Sequence, residues 1–183
     1  HLSNLAWAYA TAADHRSDRF LFHALGAEAK TKVKTFPAAA LATTAWAFAQ
    51  AGHEAGELFD VLEVEVLDKL SGFNAHDLAN TAWAFATVRV EAPLLFEAVA
   101  LEATKKVKAF ETHELATLAC AFSAAGVAAP SLFEAIAIEA GNKACTSDDS
   151  KRLEWAFTTA GAPPALSEAL AGRGVLLTVD KAA

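Results

Sequence analysis

The side chains able to recognise a ligand fall on a recurring grid. Trp7, Trp46, Trp83, Cys120 and Trp155 occupy one slot in a repeated phrase. Three residues before that slot stand Asn4, Thr43, Asn80, Thr117 and Arg152; two before it stand Leu5, Thr44, Thr81, Leu118 and Leu153; four after it stand Thr11, Gln50, Thr87, Ala124 and Thr159. An Asn or Gln amide both donates and accepts, and a Thr hydroxyl does so with less directionality. Two or three such side chains per unit is how modular readers of single-stranded RNA address a base. The candidate binding set is therefore Asn4, Thr43, Thr44, Asn80, Thr81, Thr87 and Thr117, on one face of a first helix in each unit. The plainer reading, that these groups bond back into their own helix or between stacked helices, is the favoured one. The positions also vary little between units, whereas a sequence reader needs them to differ.

Lysines form a second candidate set: Lys30, Lys32 and Lys34; Lys69; Lys105, Lys106 and Lys108; Lys143. They recur at the end of each second helix and so reach one rim. They suit a phosphate rail or compensation of the helix dipole; the second needs no ligand. Glu54, Glu57, Asp60, Glu91 and Glu97 make the opposite rim acidic. The chain's formal charge is −7, awkward for a nucleic-acid binder, and Arg16 and Arg19 are among few arginines.

No catalytic constellation is present, and the expectation is a protein without enzymatic activity, cofactor or metal. His15, His23, His53, His76 and His113 are scattered. His76 and His113 share a repeat slot, which suits a metal row or a phosphate contact less well than a solvated first turn. Cys120 and Cys145 make neither a disulfide framework nor a metal set; Cys120, in the tryptophan slot, reads as a small core hydrophobe. There is no Gly-rich phosphate loop and no nucleophile elbow. Thr35–Gly52 carries no formal charge, but Pro37, Thr43, Thr44 and Gln50 argue for a buried helix rather than a membrane span.

The elements that must position these residues are set by repetition. Phe36, Phe73 and Phe110 lie 37 residues apart, as do Phe22, Phe59, Phe96 and Phe133. LSNLAWAYA (2–10), LATTAWAFA (41–49), LANTAWAFA (78–86) and LATLACAFS (115–123) are copies of one phrase, with SKRLEWAFT (150–158) a worn fifth. A fixed period of this size signals stacked structural units. Within each unit, apolar residues at i, i+4, i+7 predict two helices. First helices are expected at about 38–51, 75–88, 113–125 and 149–160, second helices at about 55–71, 93–109, 130–144 and 164–172, with 1–13 and 17–35 as the first pair. Asn74 is an N-cap, Gly52, Gly126 and Gly161 are C-caps, and Pro93 and Pro130 open second helices. The fold class is all-α, an α-solenoid of about 4.5–5 hairpins. The units run 1–36, 37–73, 74–110, 111–147 and a degenerate or capping 148–172, followed by a tail at 173–183. Trp46, Trp83, Phe48, Phe85, Phe96 and Phe133 are expected to be mainly buried at repeat junctions. The chain has no Met and opens inside a unit, as expected of a fragment whose targeting segment lies upstream.

The phrase LA-[NT]-x-A-W-A-[FY]-A with a closing Phe resembles the octotricopeptide repeat over about residues 1–160, best at Leu41–Ala49 and Leu78–Ala86. The Ala-rich TAWAFA wording is similar to algal and dinoflagellate-type members; Lys151, Arg152 and Glu154 depart from it. The resemblance implies an RNA-binding repeat protein of plastids or mitochondria acting in organellar gene expression. Related proteins are also parts of large organellar assemblies, so the partner is expected to be organellar RNA or, alternatively, protein subunits of a photosynthetic complex, ribosome or respiratory complex. No small-molecule substrate is expected.

Overall fold

A computed structural model describes residues 1–12, 19–52 and 56–162, apart from the Arg19 side chain. The expected helix at 164–172, the tail at 173–183, and His15, Arg16, His53 and Glu54 lie outside the described residues. All regular structure among the described residues is helical. In order the helices are α1 (Leu2–Thr11), α2 (Arg19–Lys32), α3 (Ala38–Ala51), α4 (Gly56–Lys69), α5 (Ala75–Val88), α6 (Pro93–Lys106), α7 (Thr112–Ala125), α8 (Pro130–Ala140) and α9 (Ser147–Thr159). The odd-numbered helices are the first members of the hairpins and the even-numbered ones the second. They stack into an α-solenoid.

Local chemistry sets the boundaries. Asn74 accepts from the Asp77 N–H at 2.8 Å while Asp77 accepts from the Asn74 N–H, a reciprocal cap on α5. Glu111 and Glu114 repeat the device on α7; Thr146 caps α9 through the Asp149 N–H. Pro93 and Pro130 occupy the first turns of α6 and α8, where a missing N–H costs nothing. Gly52 and Gly126 close α3 and α7 with φ of 66° and 67°. The same place after α5 is held by Arg89 at φ 59°, a conformation that favours Gly. Three second helices tighten into a 3₁₀ turn, at Val33–Thr35, Leu70–Gly72 and Val107–Ala109, and stop on Phe36, Phe73 and Phe110.

The two layers pack differently. α1, α3, α5, α7 and α9 lie close against one another along their lengths, whereas α2, α4, α6 and α8 meet at fewer points. The reason is the Ala content of the first helices. Ala42, Ala45, Ala79, Ala82, Ala116 and Ala119 are buried and present no bulk to hold the axes apart. The first helices therefore form the more closely packed layer of the stack. Between the layers runs a row of aromatic pairs. Phe22–Phe48, Phe59–Phe85, Phe96–Phe122 and Phe133–Phe157 meet edge to face with centroids 4.9–5.3 Å apart. Each joins a second helix to the first helix of the next unit, so the interlock is between repeats. Such geometry adds about 0.5–1.5 kcal/mol per pair beyond burial.

The phenylalanines are thus at the junctions as the spacing predicts, and so are Trp46 and Trp83, whose rings meet across the boundary between α3 and α5 with centroids 6.2 Å apart. Trp46 and Trp83 are partly buried and pack against the core, whereas Trp7 and Trp155 are 50% and 49% exposed. The Ala-rich helices approach closely, so the Trp46 and Trp83 rings sit at the edge of the junction, packed on the core with one side open.

Candidate binding faces

The open face of the first-helix layer is built from one stripe per helix. On α5 it consists of His76, Asn80, Trp83 and Thr87, spaced i, i+4, i+7 and i+11, which is one side of a helix. The equivalent residues are Asn4, Trp7 and Thr11 on α1; Ala39, Thr43, Trp46 and Gln50 on α3; His113, Thr117, Cys120 and Ala124 on α7; Asp148, Arg152, Trp155 and Thr159 on α9. All are exposed or half-buried.

Five of the seven polar candidates, Asn4, Thr43, Asn80, Thr87 and Thr117, lie on this stripe. Thr44 and Thr81 do not. They are 2% and 0% exposed, because two positions before the tryptophan slot the helix turns into its neighbour. Thr44 donates to the Ala40 carbonyl at 2.7 Å, while the Thr81 hydroxyl has no partner. Within the stripe, Thr43 donates to the Ala39 carbonyl and Thr117 to the His113 carbonyl, at 2.7 and 2.8 Å. Thr117 also accepts from Arg152 at 2.8 Å. Their hydroxyl protons are engaged by the fold itself, as the plainer reading has it.

Asn80 is held differently. Its Nδ2 lies 2.9 Å from His76 Nε2, and His76 Nδ1 lies 3.3 Å from Glu114 Oε1 on the next first helix. Glu114 is buried and caps its own helix through the Glu111 N–H. The carboxylate facing Nδ1 favours the tautomer in which Nδ1 donates to Glu114 and Nε2 accepts from the Asn80 amide. His76 therefore acts as a bridge across a repeat boundary. Asn80 is left with its amide carbonyl as an acceptor on the open face.

What the stripe chiefly offers is aromatic surface. The Trp46 and Trp83 rings have centroids 6.2 Å apart and are tilted by 33°. Trp7 and Trp155 continue the row on either side, with Cys120 as a gap. Cys120 is half-buried rather than a full core residue; it donates to the Arg152 carbonyl at 3.4 Å. Burial pushes its thiol above the ordinary range despite nearby Arg152, and burial likewise raises Cys145. Both are poor nucleophiles. The spacing from Trp83 to Asn80 and Thr87 on a helical wheel already places the indole on the polar side; the repetition of large aromatics suggested a core instead.

The lysine rim is largely a structural device. Lys69 donates to the carbonyls of Lys34 and Phe36 at 2.7 and 3.1 Å. Lys106 donates to those of Ser71 and Phe73 at 2.9 and 2.7 Å. Lys143 donates to those of Lys108 and Phe110. Each ammonium caps the end of the preceding repeat's second helix, and each is also paired with a Glu four residues earlier, Glu65, Glu102 or Glu139. Lys30 pairs with Glu57, Lys32 with Glu28 and Lys105 with Glu102. Lys34 and Lys108 are exposed without side-chain partners among the described residues. The 37-residue recurrence of the Glu and Lys pair was visible in the sequence; the carbonyl acceptors were not, because they lie 33 and 35 residues away.

At the opposite end of the hairpins an open cleft of about 500 Å³ is lined by Phe85, Arg89, Glu91, Pro93, Phe96 and Val127, among others. It meets the stripe only at Ala124. Among the described residues no three His, Cys, Asp or Glu side chains group as metal ligands, and no helix is long and apolar enough to cross a membrane.

Stacked helical hairpins with an aromatic and polar stripe on one layer define a helical-repeat protein of the solenoid class. The chain belongs to the RNA-editing substrate-binding complex 6 family, whose sequence pattern matches residues 4–156. No curated protein shows significant sequence similarity to it. The octotricopeptide resemblance is met in its coarser content, a helical-repeat protein of an RNA-associated family.

Proposed function

We propose that this chain is a non-catalytic subunit of a mitochondrial RNA-editing assembly and that it contacts single-stranded RNA by stacking bases on the tryptophan stripe of the first-helix layer. The observation that carries the proposal is the row of the partly buried Trp46–Trp83 pair continued by the half-exposed Trp7 and Trp155. Every base has a π-face, so an aromatic row takes RNA with little sequence preference. That agrees with the low variety of the polar positions. Asn80 adds one fixed acceptor toward a base edge. The family supports the RNA and organellar parts of this reading; an RNA-editing complex speaks for the mitochondrion and gives no support to the plastid. No cofactor or small-molecule substrate enters.

The test is a tryptophan-fluorescence titration with an unstructured RNA of mixed sequence. Quenching is expected, and Trp83→Ala should weaken association by about 1–3 kcal/mol. Because most rim lysines are engaged, the affinity should depend weakly on salt, in contrast to a phosphate-led binder. Retained affinity in a Trp46→Ala, Trp83→Ala double variant would remove the stripe from the site. A scaffold role is the second reading, favoured by the net charge of −7 and by the engaged lysines. It predicts no detectable RNA association of the isolated chain.

A further inference from the structure

The second-helix layer carries its own periodic feature. Val64, Leu101 and Ile138 are 64%, 62% and 53% exposed, and they stand 37 residues apart on α4, α6 and α8. One large aliphatic side chain per repeat, at one slot, makes a continuous ridge across the second helices. One turn before each lies a carboxylate, Asp60, Glu97 or Glu134, also exposed. None of these three has a cationic partner among the described residues. The contrast is with the second acidic row on the same helices, Glu65, Glu102 and Glu139, each tied to a lysine. Burial, together with the neighbouring Asp60 charge, pushes the Glu63 carboxyl up, so this side of α4 has uncompensated negative charge.

We propose that this ridge is a docking surface for an amphipathic, basic α-helix of a partner protein, lying across α4, α6 and α8. The geometry matches in period. Packed helices sit about 8–10 Å apart, and a helix rises about 10.5 Å in seven residues. A partner helix with an aliphatic residue at every seventh position therefore meets one of Val64, Leu101 and Ile138 after another. Lysines or arginines one turn away on the same helix meet Asp60, Glu97 and Glu134. RNA is disfavoured here, since its phosphates would face the unpaired carboxylates. The inference is independent of the stacking proposal, because it uses the other layer of the solenoid.

The probe is a synthetic helical peptide with Leu at every seventh position and Lys on the flanking row, titrated against the intact chain. Saturable binding is expected, weakened at least tenfold by Asp60→Lys, Glu97→Lys, Glu134→Lys together. Val64→Ser, Leu101→Ser, Ile138→Ser should weaken it similarly with an unchanged melting temperature. A peptide with Glu in place of Lys should not bind. A photo-crosslinker at position 101 in the native assembly should attach to a basic helical segment of a protein. Equal binding of both peptides, indifference to the substitutions, or crosslinking to RNA would overturn the proposal. The Trp83→Ala variant should bind the peptide normally, which separates this outcome from that of the RNA titration.

Discussion

The Lys106 ammonium donates to the Phe73 carbonyl oxygen at 2.7 Å, across the boundary between two repeats. Phe73 is the last residue before the next hairpin, and its carbonyl would otherwise face a helix end without a donor. A charge that looks available for a ligand is thus part of the joint. Lys106→Met should cost about 1–2 kcal/mol in urea denaturation, in line with loss of charge-assisted hydrogen bonds at a partly buried site. Lys108→Met, at an exposed position, should change stability by no more than about 0.5 kcal/mol. Equal effects would show that the capping contacts contribute nothing.

The same lysine makes stability depend on pH. Hydrogen bonds from Lys106, then Lys105, hold the Glu102 carboxyl below its ordinary value. A carboxyl lowered in the folded state stabilises above its unfolded pKa, and that contribution is lost as pH falls through the folded one. Stability should therefore decline on acidification below about pH 4. The decline should be shallower in Glu102→Gln, measured by chemical denaturation at stepped pH.

Arg89 adopts a left-handed backbone where two neighbouring repeats carry Gly52 and Gly126. A side chain there costs roughly 1–2 kcal/mol, offset in part by the extra freedom glycine gives the unfolded chain. Arg89→Gly should raise stability by about 0.5–1 kcal/mol and Gly126→Arg should lower it by at least as much. A thermal scan that orders the two variants the other way would contradict the strain.

Thr44 and Thr81 occupy the same buried slot but differ in partner, since only Thr44 reaches a carbonyl. Replacing an unpartnered buried hydroxyl by a methyl is neutral or stabilising. Thr81→Val should thus raise stability or leave it unchanged, whereas Thr44→Val should cost about 0.5–1.5 kcal/mol. Identical losses in the two variants would mean that Thr81 has a partner in solution.

The aromatic residues divide by role. Phe122 is wholly buried against Phe96, so Phe122→Ala should cost about 3–5 kcal/mol. Trp83→Ala, at a partly buried ring, should cost less while reducing RNA association. A melting temperature that falls as far for Trp83→Ala as for Phe122→Ala would return the indole to the core.

The helical pairs, their order and most of their ends are determined by the sequence alone. Period, proline at first turns, glycine at C-caps and the Asn74 cap are local properties, and local backbone preferences do not need a neighbour to act. The edge-to-face phenylalanine row follows from the 37-residue spacing for the same reason: stacking identical units brings identical residues to the junction. What only the tertiary structure decided is the destination of side chains whose surroundings come from other repeats. Trp46 and Trp83 meet at the edge of a repeat junction, whereas Trp7 and Trp155 remain about half exposed. Thr44 and Thr81 are buried because their helices turn that edge toward a neighbour. Lys69, Lys106 and Lys143 are engaged because carbonyls 33 and 35 residues earlier lie at the inter-repeat step. Periodicity shows which residues are equivalent. Which of them face solvent depends on how far apart adjacent helices come to rest, and that distance is set by packing.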